Sequence, residues 1–479
     1  MPQKFDMPDL IVVVPGILGS VLQKDGKDLW NFRQIAKASV LKLGRSLDSL
    51  MMNGDDPELD DLGDGIEATN LLAIPGIIAG FIKKGDYKAI REKLTEEFEL
   101  EVGDINNDDP ANYFEFPYDW RRDIRYAARK LEKVINHKLP LWREHSGNKN
   151  AKVILLAHSM GGLVSRYYLE VRNGWENCCL LVTFGTPHSG SVQALDFLCN
   201  GNKIGRQDVT TLVRSFTSTY HLLPRYPVIK SNDTYYRVAE ILNLPNIDPQ
   251  RAQNAFKFYE EIDKAVEEHE NDVNYLKNKY EIIPIVGKGQ PTLQSAILSG
   301  EKLICDRNTL PPDINLSLND GDGTVPRVSA VPNELRKKSR RNIGETHACL
   351  QENDILLSEL CDILSSRQDK AVLGSNDFYI SQNQSILSIE LKDYYQQQEP
   401  IVIRAWENNE QEKLTGLIAK IEAVDSGHIV APAVSLQPEK DIWQLEIPNL
   451  EAGIYRLTVS PSNKKRNSPT PIHDYFEVG

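Results

Sequence analysis

One stretch carries the most chemically suggestive spacing in the chain. It reads Val153-Ile154-Leu155-Leu156-Ala157-His158-Ser159-Met160-Gly161-Gly162-Leu163-Val164. An apolar run leads into a serine, small residues stand two places before and two places after it, and a second apolar run follows. This is the spacing of a nucleophile elbow, G-x-S-x-G, with Ala157 at the first glycine place and Gly161 at the second. The requirement is steric. The apex serine sits in a strained turn, so its second neighbours must be small for strand and helix to approach. The turn exposes the hydroxyl at the C-terminal edge of a sheet, and N–H groups at the following helix start point toward a developing oxyanion. A small-residue turn also serves as a plain strand-to-helix connection; the matching flanks on both sides favour the chemical reading.

A serine hydroxyl at neutral pH needs a base, and the base needs an orienting carboxylate. In an α/β-hydrolase the chain order is Ser, then Asp or Glu, then His. Downstream of Ser159 lie His188, His221, His269, His347, His428 and His473. His428 and His473 fall in a C-terminal region of different texture, and His269 lies in a charged stretch that reads as solvated. His188, in Gly185-Thr186-Pro187-His188, precedes any suitable acid. His347 is left as the base. Its partner is expected in Asn319-Asp320-Gly321-Asp322-Gly323-Thr324, where either aspartate could face an imidazole. A calcium loop is the competing reading there, but the terminal glutamate and ligand spacing of an EF-hand are missing. The backbone N–H groups of Ile17, in Val14-Pro15-Gly16-Ile17-Leu18-Gly19, and of Met160 are expected to hold the oxyanion. Leu18, His158 and His188 are expected beside the substrate.

The elements that must position these residues follow from apolar runs and periodicity. Leu10–Val14, Tyr113–Phe116, Lys152–Leu156, Leu180–Phe184 and Ile282–Val286 read as strands, and the sheet is expected to resume just before Asp320. Tyr87–Phe98, Asp123–Lys138, Met160–Val171 and Asn353–Ser365 read as helices. This alternation predicts α/β architecture: a doubly wound, mostly parallel α/β-hydrolase sheet. Residues 201–276 break the rhythm with helical stretches, including 252–279, and read as an inserted helical cap. The acidic loop and apolar run within 51–85 read as lid-like. After residue 370, strand-like runs recur about every ten residues: Ile380, Ile386–Leu391, Ile401–Trp406, Leu417–Ala423, Ile429–Leu436, Ile442–Ile447 and Ile454–Val459. That spacing predicts a β-sandwich over 370–479, appended to a catalytic domain over 1–369.

Length and charge set the outer limits. The 479 residues suggest two or three domains at about 150 residues each. A net charge of −13 excludes general nucleic-acid binding, which needs a clustered positive face. Residues 201–233 are locally basic, with Lys203, Arg206, Arg214, Arg225 and Lys230 against two aspartates. Neither long apolar run, Leu10–Leu22 or Leu71–Ile82, reaches the roughly 20 residues of a membrane span. Six cysteines without paired spacing read as packing residues in a reducing compartment. No metal motif is present, and no cofactor is expected. The expected location is cytoplasmic, with transient contact at a membrane surface through Leu71–Ile82 and Lys83-Lys84 as a second possibility.

Taken together, several segments resemble the lecithin:cholesterol acyltransferase family of α/β-hydrolases. They are Pro15–Ser20, Pro117-Tyr118-Asp119-Trp120-Arg121, Ala157–Gly162, Phe184–Pro187, Gly287–Thr292 and Gly321-Asp322-Gly323-Thr324-Val325-Pro326, with His347 beyond. They stand in family order across about residues 10–365. The resemblance implies that the acid is Asp322 rather than Asp320, and that Tyr118–Arg121 is structural. It implies ester hydrolysis or acyl transfer on a lipid-like substrate. Two departures stand out. The animal members carry a disulfide-tied lid, whereas no cysteine precedes Cys178 here, and the C-terminal sandwich has no counterpart in them. A non-catalytic scaffold on a hydrolase fold and an acyl hydrolase acting on thioesters are the competing functions. What the sandwich binds is not legible.

Overall fold

The computed structural model describes residues 4–30, 49–72, 76–78, 82–84, 87–201, 203–204, 207–335, 341–367, 385–408, 414–463 and 468–479. Its centre is a six-stranded sheet of β1 (Leu10–Val14), β2 (Tyr113–Glu115), β3 (Val153–His158), β4 (Cys178–Phe184), β5 (Glu281–Gly287) and β6 (Arg341–Ile343). The spatial order is β6-β5-β4-β3-β1-β2 and every pairing is parallel. Alternate side chains of each strand feed two cores. Leu10, Val12, Val14, Leu155 and Leu181 pack under α2 (Ile124–Ser146) and α3 (Met160–Glu170). Ile11, Val13, Ile154, Leu156 and Val182 pack under α1 (Lys88–Glu97) and α5 (Asp354–Ser366). Helices thus cover both faces, which is why the strands read as unbroken apolar runs. This is an α/β-hydrolase sheet.

Several elements end elsewhere than the sequence predicts. The α2 helix does not stop at Lys138 but runs through Pro140 to Ser146, where Gly147 closes it at φ 71°. Pro140 lies on the solvent side, where the carbonyl it leaves unpaired can bond to water. The long helical pattern of 252–279 is two helices, α4 (Pro249–His269) and a short one over Val273–Asn278. The side chain of Asp272 caps the second. The sheet does not resume before Asp320. Leu316–Leu318 is a single 3-10 turn capped by Asn315, with Leu316 exposed to solvent, and the sixth strand comes only at Arg341. Within 201–276 the strands Ile229–Ser231 and Thr234–Tyr236 join Ser295–Ser299 and Lys302–Asp306 in a four-stranded sheet.

The C-terminal region forms two further sheets. One holds β7 (Leu387–Glu390), β9 (Ile401–Glu407), β12 (Gln437–Glu439) and β13 (Ile442–Ile447). The other holds β8 (Tyr394–Tyr395), β10 (Leu417–Ala423), β11 (Ile429–Ser435), β14 (Gly453–Pro461) and β15 (Ile472–Val478). Ile401, Ile403 and Ala405 of the first face Ala419, Ile421, Leu457 and Phe476 of the second across one core. Pairing is antiparallel except for the short β8–β15 contact. The expected strand at Ile380 and the expected boundary at 369–370 lie outside the described residues.

Candidate active site

Ser159 sits between the end of β3 and the start of α3 with φ 53° and ψ −125°, a left-handed backbone that side chains rarely adopt. The packing that holds it there is tight. A Cβ on Gly161 would lie 2.4 Å from the Val14 carbonyl oxygen, so only glycine lets α3 start this close to β1. Met160 is the first residue of α3, and its N–H, like all in a first helical turn, has no carbonyl one turn back to bond.

Three side chains meet at the C-terminal edge of the sheet. The Ser159 Oγ lies 2.9 Å from His347 Nε2, and His347 Nδ1 donates to Asp322 Oδ2 at 2.8 Å. The His347 backbone N–H also donates to the Asp322 carbonyl at 2.8 Å. The other carboxylate oxygen of Asp322 accepts from the N–H groups of Thr324 (2.9 Å) and Val325 (2.7 Å). That turn fixes the carboxylate in place. All three residues are buried. Gly185, at the end of β4, passes directly beneath. A Cβ there would reach within 3.0 Å of His347 Nδ1 and 2.9 Å of Asp322 Oδ2. Asp320 faces elsewhere. It accepts from the Gly289 N–H at 2.9 Å and pairs with Arg327 at 3.0 Å.

The loop after β1 abuts the serine, since a Cβ on Gly16 would lie 2.8 Å from the Ser159 Cβ. Ile17 and Leu18 occupy this loop. Leu18 has φ 63° and is wholly buried in the core, where its carbonyl accepts from Trp30 Nε1. Tyr118 and Trp120 hold the loop from below, donating to the carbonyls of Pro15 (2.8 Å) and Ser20 (3.0 Å). His158 was expected beside the substrate. Its ring instead stands behind His347, with centroids 5.0 Å apart. Its Nε2 lies 3.1 Å from the His347 carbonyl and its Nδ1 3.2 Å from the Tyr87 hydroxyl, which accepts from the Gly16 N–H at 2.8 Å. One tautomer serves the whole chain: Nε2–H donates to His347, and Nδ1 accepts from Tyr87. Both ring nitrogens are therefore committed to the protein, and His158, through Tyr87, links the loop at Gly16 to His347. The His188 ring is buried, and its Nε2 meets no protein partner among the described residues. Burial, with Arg166 and Arg225 nearby, holds its pKa well below the usual imidazole range.

Two sequence expectations change in the cap. His269 is not solvated. Its Nδ1 lies 2.9 Å from Glu170 at the end of α3, in a buried cluster with Arg166, Tyr275 and Tyr280 that ties the cap to the nucleophile helix. Two of the basic residues of 201–233 are engaged within the protein. Arg214 donates to the Leu198 and Cys199 carbonyls and Arg225 pairs with Asp263. Arg206 and the side chain of Lys203 lie outside the described residues. Most of the lid-like apolar run also lies outside them. Of 71–84, Leu71 and Leu72 are buried, and the backbone of Gly76–Ile78 pairs with Ile82–Lys84 beside the His347–Glu352 turn.

Part of the chain is similar to known proteins. Residues 102–294 match the family model for lecithin:cholesterol acyltransferase. A relative from Arabidopsis thaliana, lecithin-cholesterol acyltransferase-like 1, is 23% identical over 363 residues, 70% of this chain and 80% of that protein. Over these stretches the chain is similar to lecithin:cholesterol acyltransferase-type proteins. Among solved structures, the Bacillus licheniformis lipase BlEst2 in its propeptide form aligns at 12% identity over 99% of this chain and 93% of that one, with a TM-score of 0.32. Its mature form aligns at 16% over 76% and 95%, with a TM-score of 0.28. The segment matching the lecithin:cholesterol acyltransferase model contains Ser159 and Gly185 but ends before Asp322 and His347. Among the described residues no group of side chains could hold a metal ion, and no helix is long and apolar enough to cross a membrane.

Proposed function

We propose that the protein is a serine-dependent acyl hydrolase or O-acyltransferase acting on a lipid-like ester. The observation that carries this reading is the hydrogen-bonded line Asp322–His347–Ser159 at the edge of the sheet. The names of the similar proteins, an acyltransferase-like protein and a lipase, support the same substrate class. Ser159 Oγ attacks the ester carbonyl carbon while its proton passes to His347 Nε2. Asp322 keeps Nδ1 protonated and stabilises the imidazolium that forms. The carbonyl oxygen becomes an oxyanion held by the N–H groups of Met160 and Ile17. As the tetrahedral adduct collapses, the C–O bond to the leaving alcohol breaks, and that oxygen takes the proton from Nε2. Water or an acceptor alcohol then attacks the acyl-serine carbonyl, giving its proton to Nε2, and the serine leaves reprotonated.

We assign lipid-surface contact to the lid-like segment within 51–85, whose backbone at Gly76–Ile78 and Ile82–Lys84 lies beside the His347 turn. The six cysteines, all free, fit a reducing compartment. We divide the chain into a catalytic domain over 1–369, with its cap within 201–276, and the sandwich over 370–479. The experiment is a fluorophosphonate probe combined with p-nitrophenyl and thioester acyl substrates. Covalent labelling at Ser159 with ester turnover is the expected result. Folded protein that neither labels nor turns over any acyl substrate overturns the reading in favour of a scaffold. Release of acid against transfer to an added alcohol separates hydrolase from acyltransferase.

A further inference from the structure

The loop that carries the base runs off β6 as Gly344-Glu345-Thr346-His347, and the hydrolase sheet alone does not hold it. Glu345 is a wholly buried carboxylate. Its Oε1 accepts from the backbone N–H groups of Thr346 (3.0 Å) and His473 (3.0 Å). Its Oε2 accepts from His473 Nδ1 (2.8 Å) and Asn353 Nδ2 (2.8 Å). The Thr346 hydroxyl then donates to the His473 carbonyl at 2.7 Å. His473 belongs to β15 of the sandwich and stands 128 positions from Glu345. The two residues before the base are therefore gripped by a single residue of the other region, through its N–H, its carbonyl and its ring. A carboxylate is costly to bury unless its lone pairs are filled, and here four donors fill them. Two of those donors are on His473.

The acid loop is held in a parallel way. The Gln290 N–H donates to the Gly321 carbonyl at 2.9 Å, next to Asp322. Its side-chain amide meets the edge of β7 as another strand would. Nε2 donates to the Leu387 carbonyl at 2.9 Å, and Oε1 accepts from the Ile389 N–H at 3.2 Å. A crevice of about 180 Å³ lies along this seam, lined by Gln290, Thr346, His347, Ile389 and Asp474 among others. The acid and base loops are thus bonded to each other on one side and to the sandwich on the other.

We propose that the sandwich is part of the frame of the active site, and that His473 is a positioning residue for His347, acting through Glu345 and Thr346. The inference rests on the triad reading above. His473 moves no proton in the reaction. It sets where the imidazole of His347 stands relative to Ser159, and a displacement of about 1 Å at such a contact costs on the order of 100-fold in rate.

The test uses the full chain as wild type, His473→Ala, His473→Asn and Thr346→Val. Three quantities are measured on each: the fluorophosphonate labelling rate at Ser159, kcat and KM on a p-nitrophenyl ester, and the thermal midpoint. His473→Ala should lower labelling and kcat together by about 10- to 100-fold, with KM moving less than about twofold. Asparagine places an amide nitrogen near the position of Nδ1, so His473→Asn should recover most of the loss. Recovery of activity without recovery of the midpoint would mark positioning rather than bulk stability. A folded His473→Ala protein that labels at the wild-type rate overturns the inference. Should His473→Ala not fold, Thr346→Val, which removes one hydroxyl bond, decides. A several-fold slower labelling supports the brace, and an unchanged rate overturns it. Folded wild type that fails to label removes the triad reading and this inference together, whereas labelled wild type with unaffected variants removes this inference alone.

Discussion

Ser159 and the two side chains in line with it are held by different means. Ser159 is fixed by close packing: β3 ends, the backbone turns through a positive φ, and α3 begins against β1 with only glycine in the gap. Asp322 sits on the long connection after β5, and His347 on a short loop four residues past β6. Gln290, Glu345, Thr346 and two strands of the sandwich hold those connections. The first arrangement is steric and made within the sheet and the helix that follows Ser159. The second is distant and built of hydrogen bonds. The central sheet and its helix therefore hold Ser159 by themselves, while the loops that carry Asp322 and His347 take support from the sandwich packed on the open edge.

Five substitutions would break or sharpen that contrast, the largest first. Ser159→Ala should remove ester turnover by at least about 10,000-fold while leaving the circular dichroism spectrum and thermal midpoint close to wild type. Residual turnover near wild type would mean another group does the chemistry. Asp322→Asn keeps the shape but cannot stabilise the imidazolium, and kcat should fall by about 1,000- to 10,000-fold. If it instead unfolds the protein, the acid loop is as much a steric element as the nucleophile turn, and the contrast fails.

Glycines from the two regions should respond unequally. In Gly161→Ala the new Cβ meets the backbone oxygens of Val14 and Pro15 at 2.4 and 2.5 Å, and neither can move cheaply. A cost of about 2–3 kcal/mol is expected in urea unfolding. In Gly323→Ala, φ is 94° but no atom lies closer than 4.0 Å, so only backbone strain of about 1 kcal/mol applies. Equal costs would show that close approach is not what distinguishes the serine turn.

The smallest effect tests the sandwich strand itself. Burial pushes the Glu477 carboxyl up to about 7. The folded state thus holds this proton more tightly than the unfolded chain does. The stabilisation is complete below about pH 4.5 and is lost as pH rises through about 7. Because the group is only partly buried, Glu477→Gln should gain on the order of 1 kcal/mol at pH 8 and nothing at pH 4, read as thermal midpoints. The esterase rate should not change. A gain at both pH values would assign the effect to packing rather than to charge.

These differences also decide what could be read from the sequence. The β3–turn–α3 stretch announced itself because all its constraints lie within twelve consecutive residues. Asp322 and His347 were reachable by chain order and by resemblance, and their side chains stand in hydrogen-bonded line with Ser159. The support for their loops left no comparable trace. β15 was not predicted, because His473 and Asp474 interrupt its apolar alternation, and His473 was set aside as belonging to another region. His158 was misjudged because its position beside the serine says nothing about which way the ring turns. The strand expected before Asp320 failed because Ile314, Leu316 and Leu318 alternate like a strand but have no neighbour to pair with, and Asn315 turns the chain instead. Local steric demands are visible in a sequence; partners brought in from a hundred positions away are not.

The backbone angle at Ser159 also limits which nucleophile this scaffold can carry. At φ 53° a β-branched side chain would set a methyl against its own main chain, so threonine, the nearest hydroxyl relative, is the wrong exchange. Cysteine has the same branching as serine and would sit in the turn without complaint. The site could therefore pass from oxygen to sulfur chemistry in a single substitution, yet could not accept one added carbon.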